Sequence, residues 1–291
     1  FHARDTSKPF TTLQARSLDG GENWIVGEFP GQTPDNKGIS ADEHMNSELR
    51  IGNPINSQNA PKPFEGNVNF LDPNFSLMCA RTGLVGGTVS WFYTSTNRCQ
   101  SWEGPYSLPM FEQKGIAART DYQVLGPKEC LLFLTAAMEM EVGSRVFCAK
   151  TKDGGKTFQF VSWVGPQIED GHRIMPASIK LSDSHFLVAT RCRDKTGNWI
   201  DLYESTDAGN TWNFKGRPVE DTGKGGNPPT LTRLTDGRLC ITYGYRNEPY
   251  GIRAKLSSDS GATWDDERVL RSDAGSFDIG YPRTIQRHDG M

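Results

Sequence analysis

One eight-residue pattern recurs five times along the chain, and a repeat at that spacing leaves few folds open. The clearest copy is Ser205-Thr206-Asp207-Ala208-Gly209-Asn210-Thr211-Trp212, and residues 257–264 repeat it closely. Residues 151–158 carry Thr and Phe at the ends, and residues 17–24 keep Ser, Asp, Gly and Trp. Residues 95–102 are a worn copy, with Asn97 for the Asp and Cys99 for the Gly. The physical content is a tight turn between two strands. The Asp accepts bonds from turn N–H groups, the Gly supplies a positive φ, and the aromatic plugs a hydrophobic layer.

The segments around each copy read as strands. In the fourth unit, residues 177–181, 186–191 and 200–204 precede the turn, and Trp212 begins a further strand. The fifth unit repeats this with 230–234 and 239–243. Complete units are expected over about 67–112, 117–167, 172–220 and 226–272. The step from Asp19 to Asn97 is 78 residues, whereas later steps are 56, 54 and 52, because residues 30–66 form a loop-rich insertion. The ends read as cut. Strand 10–16 enters the first turn with nothing regular before it, and Arg283 to Arg287, followed by His288-Asp289-Gly290, opens another unit.

The repeated octapeptide resembles the Asp box of sialidases and of the wider family of Asp-box (BNR repeat) β-propellers, and the resemblance runs from Ser17 to Trp264. It implies an all-β fold, a sialidase-type propeller of four-stranded antiparallel blades, filling residues 1–291 as a single domain. Sialidases have six blades, so six are expected in the parent sequence, with incomplete terminal blades here.

Blade geometry puts the ends of second strands and the starts of first strands around a central funnel, where ligands bind. Counting back from each box Asp or Asn lands on Arg4, Arg81, Arg193 and Arg246, and in the third unit on Glu139. First-strand starts add Arg119-Thr120-Asp121-Tyr122, His172-Arg173 and Tyr281-Pro282-Arg283. Converging guanidinium groups repel one another unless an anion bridges them. The candidate ligand arginines are therefore Arg4, Arg81, Arg173, Arg193, Arg246 and Arg283. The sialidase resemblance implies that they hold the carboxylate of a terminal acidic sugar. It also implies a Tyr nucleophile with a Glu base and an Asp acid/base, which fall on Tyr281, Glu139 and Asp121. The sialidase Arg-Ile-Pro motif is absent, and the nearest string is His172-Arg173-Ile174-Met175-Pro176.

Composition narrows the alternatives. A net charge of −3 argues against a general nucleic-acid or membrane-surface binder, and no apolar window is long enough for a membrane span. The six cysteines show no C-x-x-C pair and no metal spacing; most sit in apolar runs, as buried small hydrophobes rather than a disulfide framework. No metal and no nucleotide or other cofactor is expected. The partner is a carbohydrate with an acidic sugar. Two other functions fit the same residues. One is a polysaccharide lyase using His172 or Tyr250 as base, and the other is a non-catalytic carbohydrate-binding or scaffold propeller.

Overall fold

The structure, a computed structural model, describes residues 12–32, 60–138, 142–287 and 289–290. The described residues contain no helix and seventeen strands. A hairpin comes first, of β1 (Leu13–Arg16) and β2 (Ile25–Glu28), followed by a three-stranded sheet of β3 (Ser76–Arg81), β4 (Ser90–Ser95) and β5 (Glu103–Ser107). Three four-stranded antiparallel sheets follow. The first holds β6 (Ile116–Val124), β7 (Cys130–Ala136), β8 (Arg145–Thr151) and β9 (Gln159–Trp163). The second holds β10 (His172–Lys180), β11 (Phe186–Arg193), β12 (Asn198–Ser205) and β13 (Asn213–Val219). The third holds β14 (Thr230–Arg233), β15 (Leu239–Tyr245), β16 (Gly251–Ser257) and β17 (Arg268–Arg271).

Sequence neighbours pair throughout, so each sheet is a meander. Two expected units differ from the expectation. Residues 67–75 form no ladder, so the unit expected over 67–112 has three strands; Lys62 instead bridges Tyr106 on the far side of β5. Residues 283–287 run beside β14 without a ladder. Thr232 Oγ1 donates to the Thr284 carbonyl at 2.9 Å, and the Thr235 amide donates to Gln286 Oε1 at 2.7 Å.

The core lies between sheets. Strand β7 and the first half of β11, Phe186 to Ala189, are apolar runs because both of their faces are covered. Leu132 and Leu134 face the β3–β5 sheet with Phe92, while Leu131 and Phe133 face the β10–β13 sheet with Phe186 and Val188. Leu187, Ala189 and Leu202 meet Leu239 and Ile241 of the last sheet. A fourth cluster, Trp91 and Tyr93, receives Phe29 from the hairpin side.

Every box closes in the same way. In residues 205–212, Ser205 Oγ donates to Asp207 Oδ1 at 2.7 Å and accepts the Gly209 amide at 2.9 Å. Asp207 then accepts the Thr211 amide at 2.9 Å and the Thr211 hydroxyl at 2.5 Å. The boxes at Asp19, Asp153 and Asp259 repeat these bonds. The worn copy reverses one of them. Asn97 Oδ1 accepts the Ser101 amide, but its Nδ2 donates to Ser101 Oγ at 2.8 Å. Two successive residues in each box take positive φ, including Ala208 and Gly209, and in the worn copy Arg98 and Cys99.

Four of the five boxes lean back on the preceding sheet. Trp212 packs edge-on against Phe133 and donates Nε1–H to Ser162 Oγ at 3.0 Å. Phe158 meets Phe92, Trp264 joins the layer of Leu187 and Leu202, and Trp102 donates to Gln14 of the hairpin. At the first box, Trp24 is 58% exposed; Gly20 there lies against Arg287, which pairs with Glu22 at 2.8 Å. All six cysteines are free thiols, and four of them are buried.

Candidate functional site

Strands β3, β6, β10 and β14 are the sheet edges that face one another at the centre. β3, β6, β10, the Pro228-Pro229 segment that leads into β14 and residues 281–283 enclose a cavity of ≈ 350 Å³, lined by Arg81, Arg119, Asp121, Met175, Tyr281 and Arg283 among others. Two of these strands are bulged where they meet it. In β6 the register slips between Ala117 and Asp121, which releases Arg119 and Thr120 from the ladder. In β10 it slips between Ile174 and Ala177, with Met175 at φ 53°. Bulges re-aim side chains and are enriched beside functional sites. Pro176, Pro228, Pro229 and Pro282 also line the cavity, each withholding an N–H that a regular ladder needs.

Asp121 is the most tightly held carboxylate there. Its Oδ2 accepts the Ser178 amide at 2.6 Å and the Ser178 hydroxyl at 2.9 Å, tying β6 to β10. Burial pushes its pKa above the usual carboxylate range, while the Ser178 bonds and the Arg283 charge pull the other way. The balance favours the protonated form more than in water, which suits a proton donor. Tyr281, also in the cavity lining, is 54% exposed. The structure thus brings Arg81, Asp121, Tyr281 and Arg283 to one cavity.

The remaining candidates are placed elsewhere. Arg173 is buried, stacks over Tyr203 and pairs with Asp201 at 3.3 Å; Arg217 holds the other oxygen of Asp201 at 2.9 Å. Arg246 is buried against Asp278 at 3.2 Å. Arg193 is exposed at the end of β11, opposite His172. Tyr250 lies on a separate surface groove, with its hydroxyl donating to Glu248 at 3.2 Å. Arg4 and Glu139 lie outside the described residues.

Two arginines near the cavity escape a count from the boxes. Arg119 lies in the β6 bulge, where a fixed spacing does not hold. Arg191 is two residues before Arg193, on the same face of β11, and its Nη1 meets Met175 Sδ at 3.3 Å. Its Nη2 donates to the Gly225 carbonyl. Among the described residues, no three His, Cys, Asp or Glu gather as a metal-ligand group.

A family model, the BNR repeat-like domain, matches residues 75–291. A search of curated protein sequences returned no match. Several solved structures share the fold. A microbial sialidase, Hadza microbial sialidase Hz136, aligns with a TM-score of 0.57 at 11% identity, covering 92% of this chain and 54% of the sialidase. A Dyadobacter fermentans protein of unknown function aligns at 0.56 and 25% identity, over 68% of this chain and 57% of that one. The Penicillium chrysogenum α-L-arabinanase aligns at 0.52 and 15%, over 64% and 59%. The chain therefore spans between about half and three fifths of the length of these structures. With the family model covering most of its length, and with the repeated boxes and meandering antiparallel sheets of the described residues, the chain belongs to the BNR repeat-like domain family.

Proposed function

We propose that the chain is an exo-acting glycosidase that takes the terminal acidic sugar of a glycan into the central cavity. The observation that carries this reading is the meeting of Arg81, Arg119 and Arg283 with Asp121 and Tyr281 around one cavity. Guanidinium groups facing a shared space call for an anion, and a planar carboxylate matches their forks. Tyr281 is the nucleophile in this reading. A neutral phenol approaches a carboxylate-bearing sugar without charge repulsion, and it needs a base, the role assigned to Glu139. Asp121 delivers the proton to the leaving oxygen, in keeping with its raised pKa. The reading includes the six-bladed ring expected of the parent sequence. Supporting the reading, a sialidase and an α-L-arabinanase are among the structures that share this fold.

A panel of fluorogenic sialosides, uronides and arabinofuranosides tests it. Turnover of an acidic glycoside, abolished in Tyr281→Phe with binding retained, is the expected result. Turnover of arabinofuranosides alone overturns it. The engagement of Asp121 by Ser178 favours a second, binding-only reading. That reading gains if the acidic sugars bind but none is cleaved.

A further inference from the structure

Asp121 lines the cavity from β6, and donors hold both of its oxygens. Oδ1 accepts the Tyr122 amide at 2.9 Å; Oδ2 accepts the Ser178 amide at 2.6 Å and the Ser178 hydroxyl at 2.9 Å. Strand β10 is the edge of its sheet, paired with β11 alone, so alternate amides lack a ladder partner. That of Ser178 is spent on Asp121. The direction of the hydroxyl is set by Gln123, two residues on from Asp121 and on the same face of β6. Gln123 Nε2 lies 3.1 Å from the Ser178 carbonyl and 3.0 Å from its Oγ. A carbonyl only accepts, so the group facing it is the NH2 end, which also donates to Oγ. The hydroxyl hydrogen is then left to point at Asp121 Oδ2. Ser178 is buried, which removes solvent as a rival acceptor. Burial raises the Asp121 pKa, and the Ser178 amide and hydroxyl are the first influences that oppose it.

We propose that Ser178 is a positioning residue for Asp121: with its amide and hydroxyl both on Oδ2, the proton that Asp121 delivers is carried on Oδ1. The assignment rests on the reading of Asp121 as the proton donor of a glycosidase. A carboxyl oxygen offers two lone pairs. Both of those on Oδ2 are taken, whereas Oδ1 gives one to Tyr122 and keeps one for the proton. Oδ2 is therefore the carbonyl oxygen of the acid, and Oδ1 its hydroxyl. In the transfer the Oδ1–H bond breaks and the proton goes to the leaving glycosidic oxygen. That oxygen keeps the electron pair of its broken bond to the sugar carbon, which Tyr281 takes up as nucleophile. Asp121 is left as a carboxylate, and both Ser178 bonds become charge-assisted, so the same serine favours the charge that the transfer leaves behind. The other ionisable groups around the carboxyl are Cys79 and Arg81 of β3, Arg119 and Tyr122 of β6, Cys130 of β7, and Tyr281 and Arg283. Substitution of Ser178 changes none of them.

Ser178→Ala removes the hydroxyl and keeps the amide. Losing a donor to the charged form raises a carboxyl pKa, so the carboxyl carbon resonance of Asp121 should titrate about one unit higher than in the unmodified chain. Ser178→Thr, which restores a hydroxyl, should bring it back to within roughly half a unit. With a fluorogenic methylumbelliferyl sialoside, kcat/KM falls on the alkaline side as the acid loses its proton, and in Ser178→Ala that limb should move up by the same amount. A serine with a merely structural role lowers turnover at every pH without moving the limb. That result, or an unmoved Asp121 titration, overturns the assignment. Neutron diffraction from the unmodified chain, at a pH below the Asp121 titration, tests the oxygen without a variant. A deuteron on Oδ1 is expected, and one on Oδ2 overturns the assignment. If the titration moves but no acidic glycoside is cleaved, the glycosidase reading fails and the role of Ser178 in proton delivery falls with it. If the glycoside is cleaved and the titration stays in place, the Ser178 assignment alone fails.

Discussion

The first and fourth boxes make the same turn and meet opposite fates. At Ser17 and at Ser205 a hydroxyl, a carboxylate and two backbone amides close an identical network. Trp212 is lodged on Phe133 and Ser162 of the sheet behind it, whereas Trp24 donates to its own turn, at the Gly21 carbonyl, and stands 58% exposed. The turn is thus a local object, complete in eight residues. The aromatic plug is not, because its burial depends on a neighbouring sheet. Hydrophobic stabilisation follows the area removed from water, so equal sequences contribute unequally.

The comparison sharpens first on the buried charges. Asp201→Ala leaves Arg173 enclosed without its carboxylate and should cost roughly 3–5 kcal/mol in chemical denaturation. Glu22→Ala removes an exposed partner of Arg287 and should cost less than about 1 kcal/mol. The tryptophans come next. Trp212→Ala should cost roughly 2–3 kcal/mol, since the ring is half-buried, and Trp24→Ala under about 0.5 kcal/mol. Equal losses at the two positions would break the comparison. Smaller still, Cys99→Gly relieves a positive φ and should stabilise by roughly 0.5–1 kcal/mol.

The mildest effect is on acid stability. Asp259 is held at about 2, first by the Thr263 hydroxyl and then by its amide, and Asp207 is lowered first by Thr211. A carboxylate depressed in the folded state lends stability that is present above its ordinary value of 3.8 and lost as pH falls through the folded value. Stability should therefore decline between about pH 4 and pH 2. Asp259→Asn should flatten that decline, because the Asn97 box shows that an amide can close the turn. An unchanged acid limb would contradict the assignment.

Much of the fold was legible because the box is local. Ser205, Asp207, Gly209 and Thr211 each do in the structure what their spacing implies, and β11 and β12 run where alternation and apolar content put them. The site was less legible, because it depends on departures from the repeat. A count from the boxes reaches Arg81 at the cavity, but it also reaches Arg193 on the rim and Arg246 beside Asp278. Arg119 lines the cavity because the β6 bulge breaks the spacing that such a count relies on. A short, period-two pattern carries no mark of where a strand will bulge, and the partner of a buried arginine such as Arg173 lies on another strand, 28 residues away.

The backward lean of the boxes gives the molecule a direction. Each unit after the first is propped by the one before it, which makes the fold a relay of nearest-neighbour couplings rather than a single pooled core. The relay has two weak links, and both can be seen at the surface. Trp24 leads a box that little supports, and Val269 and Leu270 of β17 stand 58% and 53% exposed on the sheet that no described box leans upon. Amide exchange should be fastest where these strands are most exposed, in the hairpin and β17, and slowest in the buried strands β7 and β11.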